Sequence, residues 1–376
     1  MFKTELYRIL SKKTAWAAML TALFFTLFYA IGNSVWGEGV IDEGGILYHG
    51  KYAIARDKEI AAEFSGPLTE DTVREIWKKY GPPVNYFDRS TRMEEMQKAA
   101  ENGGSDNFCN RIVAKMFGET VLGEDGKTDF VLAEGWTASR YVQGDYIFGY
   151  GGGAMGFWDR YLIAYILACL AITVLLSTMF SEDYACGTAG IILPAANGRL
   201  TLWGIRMAAG GFLASVYYWI TCGSVFLQYI FSYGTEGLKV SCVFAEMPMY
   251  FPDKSASMGS AVLTLYLCGW FSVLVLAVLV CAVSANSRQS FASLVRSLLL
   301  YMGPFAVMRI ILDLLPAGGI NAVLHTICYS MPLSYPGCFL EAPDKARIVM
   351  TCIELTAALT AAAAGIHGYC RHQVTN

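Results

Sequence analysis

Residues 180–188 read FSEDYACGT, and the chain continues through Leu193-Pro194 to Arg199 and Leu200. This stretch separates two long apolar runs. It is too short to form a domain, and its charged and turn-forming residues are too polar to lie in lipid. We therefore expect a short connection between two membrane spans, placed on one face of the membrane where another subunit could dock.

The composition of the whole chain favours a membrane protein. Of its 376 residues, 55% are hydrophobic and 16% are charged, whereas soluble domains carry about 25% charged residues. The mean hydropathy is +0.41. The formal net charge of -3 gives no reason to expect a nucleic-acid partner.

The chain contains 11 cysteines, but their spacing is not that of a metal site. Many of them lie inside apolar runs, where cysteine behaves as a small hydrophobic residue. Unpaired thiols are therefore expected, and a bridge between Cys328 and Cys338 is the alternative.

Six segments are long and apolar enough to be membrane helices, which need about 20 residues each. They are residues 14–32, 158–180, 200–230, 259–284, 295–315 and 346–370. The connections between them are residues 33–157, 181–199, 231–258, 285–294 and 316–345, with a tail at 371–376. This pattern predicts an all-α polytopic membrane protein. It has six transmembrane helices and a large, mainly helical extracellular domain between the first and the second.

Basic residues near the span ends predict the orientation of the chain. Most of them fall on one side if the six spans alternate, namely Lys3, Arg8, Lys12, Lys13, Arg199, Arg206, Arg288, Arg296 and Arg371. We expect both termini to be cytoplasmic in a multi-pass protein of the bacterial plasma membrane.

Residues 1–13 form a predicted amphipathic helix before the first span. Its apolar side carries Phe2, Leu6, Ile9 and Leu10, and its polar side carries Lys3, Glu5, Arg8 and Lys12. The helix either lies in the inner headgroup layer or simply caps the first span.

The insertion at residues 33–157 contains about two thirds of all the acidic residues. Long segments are translocated largely regardless of charge, so we expect it to be extracellular. Helices are predicted at 52–64, 70–80, 92–102 and 107–117, and a hairpin around 124–127. The acidic surface fits either simple solvation or recognition of a cationic peptide.

Sequence motifs for catalysis are missing from this chain. It has no G-x-x-x-x-G-K-[ST] phosphate loop, no H-E-x-x-H and no G-x-S-x-G. We therefore do not expect an enzyme, an ATP-hydrolysing chain or a cofactor bound to this subunit.

The layout resembles that of ABC-2 type transporter permeases, the membrane subunits of ATP-driven exporters. The resemblance is carried by the basic amphipathic N terminus, the large insertion after the first span, the six spans and the loop after the second. Within that loop, the positions similar to the family pattern are Glu182, Gly187, Thr188 and Arg199. It implies a helical loop that docks onto an ATP-binding subunit and transmits its closure to the membrane helices.

The resemblance also implies partners and a substrate class. The partners are ABC ATPase subunits that bind ATP and Mg, a second permease copy or a related permease, and membrane lipid. The substrate is an amphipathic or hydrophobic molecule, such as an antimicrobial peptide, a drug or a lipid, moved outward. The alternative is a membrane receptor or immunity protein that binds an extracellular ligand through residues 33–157 without transporting it.

The loop residues also have a purely structural interpretation. Arg199 at the start of the third span fits positive-inside anchoring, or it pairs with Glu182. Glu182 near a helix start favours the positive end of the helix dipole, and Gly187-Thr188 permits a break or a cap.

Each charged side chain at the centre of a predicted span raises the free energy of membrane insertion by about 2.5–3.5 kcal/mol. Arg309 and Asp313 stand four residues apart in the fifth span and can pair on one face. Glu354 lies at a similar depth in the sixth span, so a contact between Arg309 and Glu354 is also reasonable. These three residues form either a polar part of a substrate route or a structural clamp between two helices.

The segment 316–345 is apolar for a loop. The family resemblance suggests short outer helices that dip back into the bilayer. The irregular backbone at 331–336 would be tolerated only if protein covers it or if it faces water.

Overall fold

The structure is a computed structural model that describes residues 1–32, 38–84, 92–122, 128–133, 146–192, 199–244, 256–310 and 318–371. The chain divides into two compact units. The first comprises Met1–Phe28, Arg160–Phe226 and Leu263–Asn376, and the second comprises Tyr29–Asp159 and Leu227–Val262.

The described helices are α1 Phe2–Leu10, α2 Lys13–Gly32, α3 Gly50–Glu63, α4 Glu70–Tyr80, α5 Arg92–Glu101, α6 Phe108–Phe117, α7 Ala154–Ser177, α8 Ser181–Ala185, α9 Ala189–Ile192, α10 Leu200–Tyr233, α11 Met258–Ala285, α12 Ser290–Ile310, α13 Gly319–Tyr329, α14 Tyr335–Glu341 and α15 Asp344–Arg371. The described strands are β1 Gly39–Ile41, β2 Leu47–His49, β3 Gly66–Pro67, β4 Gly118–Leu122, β5 Thr128–Leu132 and β6 Ile147–Phe148.

Six of the described helices are long and apolar enough to cross a membrane, as the sequence predicts. They are α2, α7, α10, α11, α12 and α15. The chain therefore has the architecture of a multi-pass, mainly helical membrane protein.

The fifth span differs from its predicted bounds, because α12 begins at Ser290 rather than at residue 295. The connection before it is correspondingly shorter than the predicted 285–294. Ser293 and Ser297 are fully buried, and the Ser293 hydroxyl donates to the Ser177 carbonyl at 2.5 Å. Serines that pack against a neighbouring helix lower the apparent hydropathy without ending the helix.

Tyrosines fill the interior of the first unit. The hydroxyls of Tyr161 and Tyr218 lie 3.0 Å apart, and Tyr218 donates to the Tyr266 carbonyl at 2.8 Å. Tyr266 donates in turn to the Cys222 carbonyl at 2.7 Å. Each of these three hydroxyls thus finds a partner within the apolar interior.

The second unit confirms the helices predicted for the insertion, which appear as α3 to α6 with bounds shifted by up to two residues. Three antiparallel strand pairs accompany them, β1 with β2, β3 with β6 and β4 with β5. The β4–β5 pair flanks the predicted hairpin, whose turn at 124–127 lies outside the described residues. The extracellular location of the unit stays a prediction.

The start of α6 shows how polar groups are satisfied in the core of the second unit. The Asn107 side chain accepts from the Asn110 backbone at 3.0 Å, and Asn110 Oδ1 accepts from the Asn107 backbone at 2.9 Å. Asn110 Nδ2 donates to the carbonyls of Gly81 and Ser105. This reciprocal cap satisfies two orphan N–H groups of the helix terminus.

A buried charge cluster lies next to this cap. Arg111 is 3.3 Å from Asp57 and 3.2 Å from Asp106, and Asp57 accepts from the Phe108 backbone at 2.7 Å. Burial raises the pKa of the Asp106 carboxyl, and the positive charge of Arg111 opposes that change.

All 11 cysteines of the chain are free thiols, which confirms the expectation from their spacing. The alternative of a bridge between Cys328 and Cys338 is wrong.

Candidate functional site

The connection after the second span consists of two short helices, α8 and α9, joined by a turn. Gly187 in this turn has a φ of 71°, a left-handed conformation that favours glycine. The Thr188 hydroxyl donates to the Asp183 carbonyl at 3.3 Å and so closes the turn. The Gly187-Thr188 step therefore breaks the connection into two helices.

Six charged side chains join this connection to the N-terminal segment and to α10, and we call them the charge clamp. Its members are Glu5, Arg8, Lys12, Glu182, Asp183 and Arg206.

Asp183 is the centre of the charge clamp, because both of its oxygens are used. Oδ1 accepts from Arg8 at 2.9 Å and Oδ2 accepts from Arg206. Arg8 also donates to the Met179 carbonyl at 2.7 Å, and its other contact is Glu5 at 2.9 Å. One carboxylate thus links the N-terminal helix, the connection and the third span.

Arg206 is the most buried member of the charge clamp, with a side chain 1% exposed. Its Nε lies 3.2 Å from Glu5 Oε2, and its guanidinium carbon lies 5.3 Å from the centre of the Phe180 ring. A buried cation with two carboxylates and an aromatic face around it has a fixed position. The third span is therefore tied directly to the connection.

Lys12 and Glu182 form the more exposed part of the charge clamp. Lys12 donates to Glu182 Oε2 and also to the Thr178 hydroxyl at 2.9 Å. Glu182 is thus paired with Lys12 and not with Arg199, so the predicted pair of Arg199 and Glu182 is wrong. Arg199 instead donates to the Cys370 carbonyl at 2.9 Å, a favourable place for a cation at the C-terminal end of α15.

The N-terminal helix also differs from its predicted sides. Glu5 and Ile9 are buried together, whereas Phe2 is 38% exposed. Glu5 was assigned to the polar side, but it turns inward because Arg206 offers it a buried cation. The helix packs on the first unit through a mixed face.

The serines of neighbouring spans complete the support under α8. The Ser284 hydroxyl accepts from the backbone N–H groups of Phe180 and Ser181 at 3.0 and 3.1 Å. These N–H groups lie at the start of α8, where the helix itself provides no acceptor. The fourth span therefore also fixes the base of the connection.

The other side of the connection is open. Residues 185–188 are exposed, including the free thiol of Cys186, and the Ile191 side chain is 81% exposed. We call residues 185–191 the exposed tip. This side of the connection is therefore accessible to another molecule.

Sequence reasoning singled out Glu182, Gly187, Thr188 and Arg199 but missed Asp183 and Arg206. The available signal was the position of Arg206, seven residues into the predicted third span. An arginine at that depth needs a carboxylate partner. Asp183, next to Glu182 on the connection before the third span, is such a carboxylate.

The three predicted polar residues of the fifth and sixth spans are Arg309, Asp313 and Glu354. Asp313 lies outside the described residues, so its pairing with Arg309 stays a prediction. The Arg309 guanidinium lies 5.7 Å from the centre of the Phe305 ring. Glu354 has Ser272 as its partner, and the predicted contact with Arg309 is wrong.

Glu354 belongs instead to a small polar cluster in the interior of the first unit. The Ser272 hydroxyl lies within hydrogen-bonding distance of Glu354 Oε1, and it is 3.4 Å from the Pro332 carbonyl. Tyr165 donates to the same carbonyl at 2.6 Å. The irregular turn around Pro332 is therefore covered by protein, as its apolar sequence requires.

The second unit contains a cavity of about 430 Å³. Apolar side chains such as Phe148 and Val240 line it together with two lysines, Lys58 and Lys239. Lys58 is paired with Glu236 at 3.3 Å, and Lys239 is exposed. The lining thus combines apolar side chains with one ion pair and one exposed lysine.

Within the part of the chain that the structure describes, no group of three His, Cys, Asp or Glu side chains could hold a metal ion. Comparison with known protein families, with curated proteins and with solved structures finds no match to this chain.

Proposed function

We propose that this chain is the permease subunit of an ATP-driven exporter of the ABC-2 type. In this function, ATPase subunits bind the exposed tip from the cytoplasm. Closure of the ATPases on ATP and Mg moves the connection, and the connection moves the membrane helices. An amphipathic or hydrophobic substrate is carried outward between this chain and a second permease copy or a related permease.

The observation that carries the proposal is the two-sided character of the connection. One side is accessible, with Ile191 and Cys186 exposed. The other side is bound to the third span through Arg206 and to the fourth through Ser284. A force applied to the exposed tip would therefore reach two spans through buried, directional bonds rather than through a loose loop.

The charge clamp supports this role more than it supports plain anchoring. A surface arginine near the headgroups needs no buried carboxylate. Desolvating Asp183 and Arg206 costs free energy that their attraction only partly returns, so buried ion pairs are weak sources of stability. What such a pair provides is a fixed geometry, which a coupling element needs.

Substitution of Ile191 by glutamate tests the docking surface directly. We expect Ile191→Glu to reduce the amount of ATPase subunit that co-purifies with the chain by about tenfold, because a charge replaces an apolar contact at the interface. The measurement is quantitative mass spectrometry after mild-detergent purification.

The matched control is Ile46→Glu, which places the same charge at an exposed isoleucine of the second unit. It should leave co-purification unchanged. Equal recovery of the ATPase subunit with both variants would remove the exposed tip from the docking surface.

The cavity of the second unit favours a receptor or immunity protein as a second candidate. In that function the cavity binds an extracellular ligand, and no ATPase subunit accompanies the chain. The mixed lining and the accessible Lys239 support a ligand with an anionic group and an apolar part. Ligand binding by a chain that purifies without an ATPase would favour this candidate.

A further inference from the structure

Glu354 is a buried acidic side chain in the sixth span. It is 0% exposed, and Ser272 is the partner of its Oε1. Among the residues that the structure describes, its Oε2 has no hydrogen-bond partner. Among the described residues, no lysine, arginine or histidine forms an ion pair with it. A buried carboxylate in this state would carry the full desolvation cost of its charge.

The hydrogen bonds around Ser272 restrict the positions of the Ser272 hydroxyl proton and of any proton on Glu354. The Ser272 hydroxyl reaches two oxygens, Glu354 Oε1 and the Pro332 carbonyl. A hydroxyl has one proton, and a carbonyl can only accept. If the proton of Ser272 points to Pro332, the other hydrogen bond requires a proton on Glu354. That arrangement satisfies both contacts and leaves no buried charge.

Within the part of the chain that the structure describes, no positively charged group acts on Glu354. The titratable groups nearest to Glu354 among the described residues are Tyr165 and Cys169 of α7, Cys268 of α11 and Tyr335 of α14. All are neutral when protonated. Arg347 on the same helix as Glu354 is engaged by Asp344 at 3.2 Å and by the carbonyls of Phe339 and Leu340.

We propose that Glu354 is a proton-binding site, which holds a proton at neutral pH and donates it to Ser272, while Ser272 donates to the Pro332 carbonyl. The bound proton thereby links the sixth span, the fourth span and the turn between α13 and α14. This inference is independent of the proposed function, since it concerns the chemical state of one side chain.

Release of the proton would change this link. Ser272 would then donate to the carboxylate, and the Pro332 carbonyl would keep only its bond from Tyr165. The carboxylate would also carry the desolvation cost of a buried charge. Proton occupancy and the position of the turn are therefore coupled, and each state of the turn favours one state of the acid.

Infrared difference spectroscopy of the full chain in lipid tests the proton directly. The wild-type spectrum minus that of Glu354→Gln, at neutral pH, should contain the C=O stretching band of one protonated carboxylic acid. The matched control is Glu182→Gln. Because Lys12 pairs with Glu182, this difference should contain carboxylate bands instead. Carboxylate bands in the Glu354→Gln difference would overturn the proposal.

Ser272→Ala provides a second test that does not depend on the folding of Glu354→Gln. Removing the hydroxyl should shift the acid C=O band of the wild-type chain, because the carboxyl loses its acceptor. An unshifted band would show that Glu354 does not donate to Ser272.

Hydrogen exchange reports the coupling to the turn. After correction for intrinsic rates, exchange at residues 333–335 should rise with pH in the wild-type chain and stay constant in Glu354→Gln. A constant rate in both chains would contradict the coupling.

Discussion

Replacement of Asp183 by asparagine is expected to lower the free energy of unfolding by about 3–5 kcal/mol, the usual cost of leaving a buried charge without its partner. Arg206 has a side chain only 1% exposed, and Asp183 provides it with a charged hydrogen bond. In this variant Arg8 and Arg206 both lose the Asp183 carboxylate and share Glu5 as the carboxylate that remains. The measurement is unfolding of the purified chain by SDS in mixed micelles.

The matched control is Asp159→Asn, at an exposed position of the second span. It should change the free energy of unfolding by no more than about 0.5 kcal/mol. Removing both charges in Asp183→Leu with Arg206→Met should restore most of the loss, because no buried charge then stays unpaired. Equal effects of Asp183→Asn and Asp159→Asn would show that the charge clamp does not hold the connection.

Replacement of Gly365 by valine is expected to lower the free energy of unfolding by about 3 kcal/mol, at the upper end of overpacking effects. A Cβ at this position would overlap the indole of Trp203 and lie 3.1 Å from the Cα of Ala282. The sixth span therefore approaches the third and fourth spans closely here, as small residues permit. The same SDS unfolding measures the effect.

Gly223→Val is the matched control, because no atom lies within 4 Å of a Cβ added there. Its effect should stay within about 0.5 kcal/mol. If Gly365→Val is as stable as Gly223→Val, the close approach of the sixth span to the third and fourth spans at Gly365 is contradicted.

The long elements of this fold could be predicted from sequence because their signal is composition over many residues. The first, third, fourth and sixth spans match their predicted bounds within three residues. The helices of the insertion were predictable because Gly81 and the Asn102-Gly103-Gly104 run mark their ends. The early start of α12 could not be predicted from sequence, because it depends on the packing of Ser293 against the second span.

The polar contacts were harder to predict, since they depend on which faces meet. Sequence spacing placed Arg309 and Glu354 at similar depths, but depth does not specify the side of a helix. Arg206 was counted as an orienting charge near a span end, although its side chain turns into the protein toward Asp183. The turn at Gly187 was predictable because glycine readily adopts the left-handed conformation that ends a helix. The structure gives Gly187 this conformation.

The most direct test of the proposed function is the identity of the proteins that accompany the full chain. The measurement is purification of the tagged chain from its native membrane in mild detergent, followed by mass spectrometry. The permease function predicts an ATP-binding cassette subunit in stoichiometric amount, reduced about tenfold with Ile191→Glu and unchanged with Ile46→Glu. Its reproducible absence from an intact, folded chain would contradict the permease function and favour a receptor built on the second unit.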